Sequence, residues 1–339
     1  MDYRSLGRTG VQVSPLTFGT MLLHELPDPA DAARLLDHAL DSGVNAVDTA
    51  NVYGRGASEE RLGKLLHANG RRDRLVLSTK VHARMEDDDP NAAGSSRRHI
   101  IDQCHASLRR LQTDHLDMYY LHRPTSAVPI DESLRALDDL VRAGKVRYIA
   151  TSSFAAWQIL ESLWVSKELH LERVIAEQTP YSLVDRRVER ELLPMARSYG
   201  IGITVWSPLA GGLLTGKYHA GNWPADSRFA STQGSDWERR HFTQASAAVV
   251  DVVLELAAQK GCSPTQLSLA WILRHPAVSS VVLGVRNRQQ LDDQLGATEV
   301  QFTAEDLARL DAVTPPGRAV VPYYLDDSFA DWEPAQHRW

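Results

Sequence analysis

The sequence predicts an α/β protein of the (β/α)8 TIM-barrel class, on three observations. Eight short segments rich in Val, Ile and Leu alternate with amphipathic stretches along most of the chain. Those segments lack an apolar–polar alternation, as expected of parallel strands covered on both faces. No Gly-x-Gly-x-x-Gly turn follows an early strand, which a doubly wound nucleotide-binding sheet would use; the nearest string, Gly200-Ile201-Gly202, precedes a strand instead. Eight βα units in 339 residues fit a closed barrel.

A hairpin cap comes first, over 1–14, with apolar ends at 3–6 and 11–13 around the turn Arg8-Thr9-Gly10. A strand at 15–20 leads to a helix that opens at Pro29, carries Ala33, Leu36 and Leu40 on one face, and closes at Ser42-Gly43. The same rhythm places strands at 44–48, 75–80, 116–121, 146–151, 174–177 and 201–206. Helices at 58–68, 97–110, 131–142, 155–167 and 187–199 separate them. A long connection through Pro208, Gly211-Gly212, Trp223-Pro224 and Gly234 then breaks the alternation. Helices at 245–260 and 264–274, a strand at 279–283, and helices at 288–295 and 304–312 complete a single domain over 1–339. The tail, 315–339, holds Tyr323, Tyr324, Phe329, Trp332 and Trp339. The plain reading of these aromatics is packing on the barrel's side; the functional one is that the tail, or a neighbouring subunit of a homo-oligomer, helps close the site.

Hydrophobic residues make up 43% and charged residues 24%, the balance of a globular protein. A net charge of -6 and basic runs of only two residues argue against a nucleic-acid binder. Cys104 and Cys262 have no CxxC spacing, so no disulfide framework or zinc knuckle is expected. No window approaches a membrane span and the N-terminus lacks a signal-peptide pattern, which gives a cytoplasmic setting as the default.

In a barrel, chemistry is expected at the C-terminal ends of the strands. Asp48 ends the second strand, Lys80 the third and His122 the fourth, while Tyr53 lies in the loop after Asp48. Singly, each has a plain explanation: Asp48 a turn cap, Tyr53 a packed aromatic, His122 a hydrogen-bonded core histidine. Lys80 resists one, because a lysine behind Leu75-Val76-Leu77 needs a partner for its charge, and Asp48 on the neighbouring strand can supply it. Together the four form a tuned acid. A lysine beside a phenol is expected to lower its pKa from about 10, with Asp48 holding the lysine charged. His122 would orient a carbonyl. A site that protonates a developing alkoxide needs hydride, and no side chain supplies it, so a nicotinamide cofactor is implied.

The strings Asp48-Thr49-Ala50-Asn51-Val52-Tyr53-Gly54, Ser78-Thr79-Lys80, Tyr119-Tyr120-Leu121-His122-Arg123-Pro124 and Glu177-Gln178-Thr179-Pro180-Tyr181-Ser182 resemble the aldo-keto reductases. So does Trp206-Ser207-Pro208-Leu209-Ala210-Gly211-Gly212-Leu213-Leu214-Thr215-Gly216-Lys217-Tyr218. The resemblance runs from Leu6 to about Ala297 and is closest to the Trp-Ser-Pro-Leu branch, which includes potassium-channel β subunits. It implies a barrel that binds extended NADP(H) without a Rossmann domain, a catalytic set of Asp48, Tyr53, Lys80 and His122, and a small-molecule carbonyl substrate. It further implies Gly19 and Thr20 near the nicotinamide ribose, Ser152, Ser153 and Gln178 on the carboxamide, and Trp206 stacked on the ring. The loop from Ser207 through Pro208, Leu209, Ala210 and Gly211 to Lys217 would cradle the pyrophosphate, with Arg228 reaching across. Gly284, Arg286, Gln290, Asp293 and Gln294 match the adenosine end, and an arginine fork there favours NADPH over NADH. Two positions depart from the pattern: Ser153 replaces a frequent asparagine, and Thr125 a frequent acidic residue.

Other readings are weaker. The string Gly211 to Lys217 begins like a phosphate-binding Walker A loop, but Tyr218 stands where a Ser or Thr must ligate magnesium. A metal-dependent hydrolase would want paired histidines, and the 13 histidines form no His-x-His or His-Glu-x-x-His, so no metal is expected. A cofactor-sensing subunit that acts through partners is the main alternative; the complete proton-transfer set around His122 speaks for an enzyme.

Overall fold

The computed structural model describes residues 1–218, Pro224, Ser227 and 235–321. Arg228 and the tail aromatics from Tyr323 onward lie outside these residues. An antiparallel pair, β1 (Arg4–Ser5) and β2 (Gln12–Val13), precedes eight parallel strands. These are β3 (Leu16–Gly19), β4 (Ala46–Asp48), β5 (Val76–Val81), β6 (Leu116–Leu121), β7 (Val146–Ser152), β8 (Val174–Pro180), β9 (Gly202–Trp206) and β10 (Val278–Leu283). They close in sequence order, with β10 pairing both β9 and β3, so the (β/α)8 barrel and its hairpin are as the sequence predicts.

Eleven helices lie among the described residues: α1 (Pro29–Asp41), α2 (Ala57–Asn69), α3 (Arg97–Leu111), α4 (Ile130–Arg142), α5 (Ala156–Leu169), α6 (Leu192–Tyr199), α7 (Asp236–His241), α8 (Gln244–Lys260), α9 (Pro264–Leu273), α10 (Arg288–Leu295) and α11 (Ala304–Val313). Their starts follow capping chemistry. Asp28 accepts from the Ala30 amide before Pro29, and Ser96, Thr243, Ser263 and Thr303 accept from amides in the first turns of α3, α8, α9 and α11. No helix among the described residues is long and apolar enough to cross a membrane.

The core falls into two parts. A large layer between strands and helices includes Leu36, Leu62, Leu137 and Trp271. A smaller cluster inside the barrel joins Met118, Tyr120, Ala150 and Ile175 to Leu6 and Val13 of the hairpin, which plugs the N-terminal end. That plug sits tightly: at Gly7, where φ is +58°, an added Cβ would lie 2.5 Å from the Gly200 carbonyl oxygen. With the bottom sealed, the opposite rim is the accessible one.

Three elements differ from expectation. The helix at 187–199 is instead a 3-10 turn, Arg187–Glu189, followed by α6, because Glu191 leaves helical geometry (φ -134°, ψ -50°). Pro194 lies in the first turn of α6, the position where its missing N–H costs least. Strand β8 runs past Glu177 to Pro180, paired with β9 as far as Trp206. The long connection contains α7, which Ser235 caps.

Candidate active site

Asp48 is the last residue of β4, and the register sets Ser78 of β5 directly beside it. Side chains two apart on a strand share a face, so Lys80 points the same way as Ser78. The Asp48 carboxylate accepts from Ser78 Oγ at 2.9 Å, Lys80 Nζ at 2.5 Å and Gln178 Nε2 at 2.9 Å. Lys80, with 0% exposure, also donates to the Thr49 carbonyl oxygen at 2.8 Å and to the Tyr53 hydroxyl at 3.4 Å. Burying such an ammonium is tolerable only with this many acceptors.

Tyr53 begins a tight turn, Tyr53–Gly56, whose next residues Gly54, Arg55 and Gly56 take φ of 59°, 49° and 99°. This left-handed run reverses the chain and aims the phenol back over the barrel mouth. The His24 ring packs on Gly54 so closely that an added Cβ would lie 2.5 Å from its Cδ2. His122 follows β6, its amide bonded to the Val81 carbonyl oxygen, and its ring meets that of Tyr53 edge-on at 6.1 Å. The four residues expected at the rim are thus brought together around one spot.

Burial sets the proton affinities here. It pushes the Tyr53 phenol above its ordinary value; Lys80 and Arg123 pull it down but do not overcome this, and Asp48 adds to the rise. The expectation of a net lowered pKa is therefore corrected: Lys80 does pull the phenol down, but the burial of the phenol outweighs that pull. Burial would lower the Lys80 ammonium, yet Asp48 and Tyr53 outweigh it and leave it raised. His122 falls well below its usual range through burial, then the charges of Lys80, Arg123 and His82. At neutral pH the site holds a neutral phenol, an ammonium and a neutral imidazole.

The positions expected to hold a cofactor ring the same rim. Gly19 ends β3, and Thr20 after it donates its hydroxyl to the Asp48 carbonyl oxygen. Ser152 ends β7 and donates to the Gln178 carbonyl oxygen at 3.0 Å, while Ser153, at φ +62°, accepts from Arg123 Nη1 at 2.7 Å. Trp206 ends β9, half-buried. Beyond it, Ser207, Ala210, Gly211, Gly212 and Gly216 all take positive φ. Such a run turns successive amides toward one side, a form that suits phosphate oxygens. Lys217 lies against it: a Cβ at Gly212 would be 3.6 Å from Lys217 Nζ. Across the β9–β10 edge, a Cβ at Gly284 would meet nothing within 4 Å. Gln290 accepts from the Arg286 amide and Gln294 donates to the Gly284 carbonyl oxygen, so both fasten this loop to α10, with Arg286 exposed and Asp293 half-buried. An aromatic platform, a glycine-rich cradle with a cation, and an open ledge make a surface that fits an extended dinucleotide.

Sequence reasoning gave no role to three residues. Ser78 is a third donor to Asp48, legible as the residue two before Lys80 on the same strand face. Arg123 places its guanidinium 5.7 Å from the Trp206 ring centroid and holds Ser153. Glu177, 0% exposed, accepts from Thr151 Oγ1 at 2.6 Å and the Phe154 amide at 3.2 Å, and burial pushes its carboxyl up to about 8 against these hydrogen bonds.

Fold and rim together define a closed (β/α)8 barrel with a buried cluster of ionisable side chains at one end. The model of the aldo/keto reductase family matches residues 15–315, and the chain belongs to that family. It is an NAD(P)-dependent oxidoreductase. Among similar proteins is a "Probable voltage-gated potassium channel subunit beta" of Oryza sativa subsp. japonica, 39% identical over 319 residues that cover 92% of this chain and 96% of the relative. Another is the "Uncharacterized oxidoreductase YrpG" of Bacillus subtilis, 38% identical over 323 residues, or 93% and 96%. A "Putative voltage-gated potassium channel subunit beta" of Schizosaccharomyces pombe is 36% identical over 321 residues, or 92% and 93%.

Proposed function

We propose that this protein reduces an aldehyde or ketone to an alcohol with NADPH, Tyr53 giving its proton to the substrate oxygen. The observation that carries the reading is the joint approach of Tyr53 to Lys80 and His122 at the rim opposite the hairpin. A bound nicotinamide supplies hydride to the carbonyl carbon; the chain's own residues manage the oxygen. His122, held neutral, donates an N–H hydrogen bond that orients the carbonyl. Tyr53, held protonated by burial, releases its proton only as negative charge grows on that oxygen, when the adjacent Lys80 ammonium stabilises the phenolate left behind. Asp48 keeps Lys80 charged and in line, with Ser78 and Gln178 fixing the carboxylate. Lys217 and Arg286 favour NADPH by supplying cations along the groove, Arg286 through a fork suited to a 2′-phosphate.

The names of the potassium-channel relatives favour a second reading, a cofactor-binding sensor or partner-binding subunit with weak reductase activity. One experiment separates the two. A panel of aromatic aldehydes, keto sugars and pyridoxal is assayed for oxidation of NADPH and NADH by the purified protein, alongside a binding titration. Turnover of at least one carbonyl, faster with NADPH, supports the reductase; tight NADPH binding with no oxidation across the panel moves the conclusion to the sensor.

A further inference from the structure

The sealed end of the barrel carries a cluster of cations that carbonyl reduction does not use. Between β1, the C-terminus of α6 and the turn from α9 to β10 lies an open cavity of 520 Å³. Arg4, Arg197, Arg274 and His275 line it, and no acidic side chain does. Two more arginines flank the same wall. Arg8 covers Gly200, where an added Cβ would lie 2.8 Å from Arg8 Cβ, and Arg173 donates to the Tyr199 carbonyl oxygen at 2.8 Å.

Many other surface arginines stand against carboxylates, as Arg34, Arg55, Arg71, Arg97 and Arg142 do. Among the described residues, Arg4, Arg8, Arg173, Arg197 and Arg274 form no such pair. Two acids act on this wall: Asp2 on Arg4, and Glu189 on His275, though Glu189 is held by Arg186 at 2.9 Å. The crowding is felt electrostatically. Burial lowers the proton affinity of Arg173 and Arg8 lowers it further; burial lowers His275, and Arg274, Arg197 and Arg186 add to that against Glu189.

Cations at helix C-termini are common, because they complement the last carbonyls. It accounts for part of the cluster, since Arg197 lies in the last turn of α6 and Arg274 is the C-cap of α9, but the carbonyls themselves are served by other arginines. Arg4 donates to the carbonyl oxygens of Leu273 at 2.8 Å and Val278 at 3.0 Å, which serves the end of α9, and Arg173 serves the end of α6. The guanidinium groups of Arg197 and Arg8 donate to no protein acceptor among the described residues, and that of Arg274 stacks on Trp271, 5.5 Å from the ring centroid. A like-charged cluster left over on a chain of net charge -6 calls for an anion to complete it. Guanidinium forks match phosphate oxygens two at a time, and the cavity is roomy enough for a small organic molecule.

We infer that this cavity is a second ligand site, which binds an organic phosphate or pyrophosphate through Arg197, Arg274 and Arg8. It lies at the opposite end of the barrel from the reductase site and does not depend on it. The test is calorimetric titration of inorganic pyrophosphate into the full chain in about 150 mM salt, with excess NADPH present throughout so that any cofactor groove is filled. Saturable 1:1 binding is expected, weakened at least tenfold in the Arg197→Gln/Arg274→Gln double variant, while NADPH affinity and melting temperature match the parent. The exposed Arg8→Gln single variant, which keeps the Cβ, Cγ and Cδ positions over Gly200 and removes only the guanidinium, is expected to weaken pyrophosphate about threefold. Absence of saturable binding, equal binding by these variants, or citrate binding as tightly as pyrophosphate would overturn the inference.

Discussion

Replacing Lys80 with Met removes the ammonium at the centre of the site while keeping most of the side chain's volume. Asp48, only 2% exposed, would lose its partner at 2.5 Å and keep the donors Ser78 and Gln178. Breaking a buried ion pair from one side costs about 3–5 kcal/mol, and the two remaining hydrogen bonds place the loss near the lower end, about 3 kcal/mol. Unfolding entropy of about 2.1 cal/mol/K per residue gives roughly 0.7 kcal/mol/K for the whole chain, so the melting temperature should drop by about 4 °C. The double change Lys80→Met/Asp48→Asn removes the stranded charge and should return to within about 1 kcal/mol of the parent. Thermal unfolding followed by circular dichroism at neutral pH reads both numbers. A Lys80→Met variant as stable as the parent, or a double variant no better than the single, would refute the view that this pair is an obligatory buried couple.

Two predictions concern pH. Burial raises Tyr53 and lowers His122, so neither changes protonation across the neutral range, and kcat at saturating cofactor should stay within about twofold from about pH 7 to about pH 9. A bell centred inside that window would contradict the assigned protonation states. For Glu177 the folded carboxyl sits at about 8 against an ordinary 4.5. The native state therefore binds more protons between those values, and stability falls as pH rises through that window. Glu177→Gln imitates the protonated form with one acceptor and one donor, so its melting temperature should match the parent near pH 5 and exceed it by several degrees near pH 9. Melts at both values check this, and an equal decline in both proteins sinks it.

Local pattern was enough to locate the barrel strands, because a both-face-buried strand announces itself as a short apolar run between turn residues. It also placed Asp48, Lys80 and His122, since a polar residue closing such a run has few structural uses. What stayed hidden depended on neighbours distant in sequence. Arg123 owes its position to Ser153 on one adjoining strand end and Trp206 on a more distant one, and nothing near residue 123 encodes either. Glu177 sits in a recognised string, but its charge state follows from complete enclosure, which only the closed barrel supplies. The direction of the Tyr53 shift failed for the same reason: a pairwise reading counts the lysine and misses desolvation. The break before α6 was foreshadowed by Pro194, whose preference for a first turn argues against one continuous helix.

The central claim is that Tyr53 protonates the substrate oxygen. Tyr53→Phe keeps the ring that meets His122 edge-on and deletes only the hydroxyl 3.4 Å from Lys80. NADPH oxidation with a reactive aromatic aldehyde is measured beside NADPH affinity by fluorescence titration. Turnover lowered by about a hundredfold or more with affinity within about twofold is the predicted result. Near-parental turnover with cofactor binding intact would contradict it.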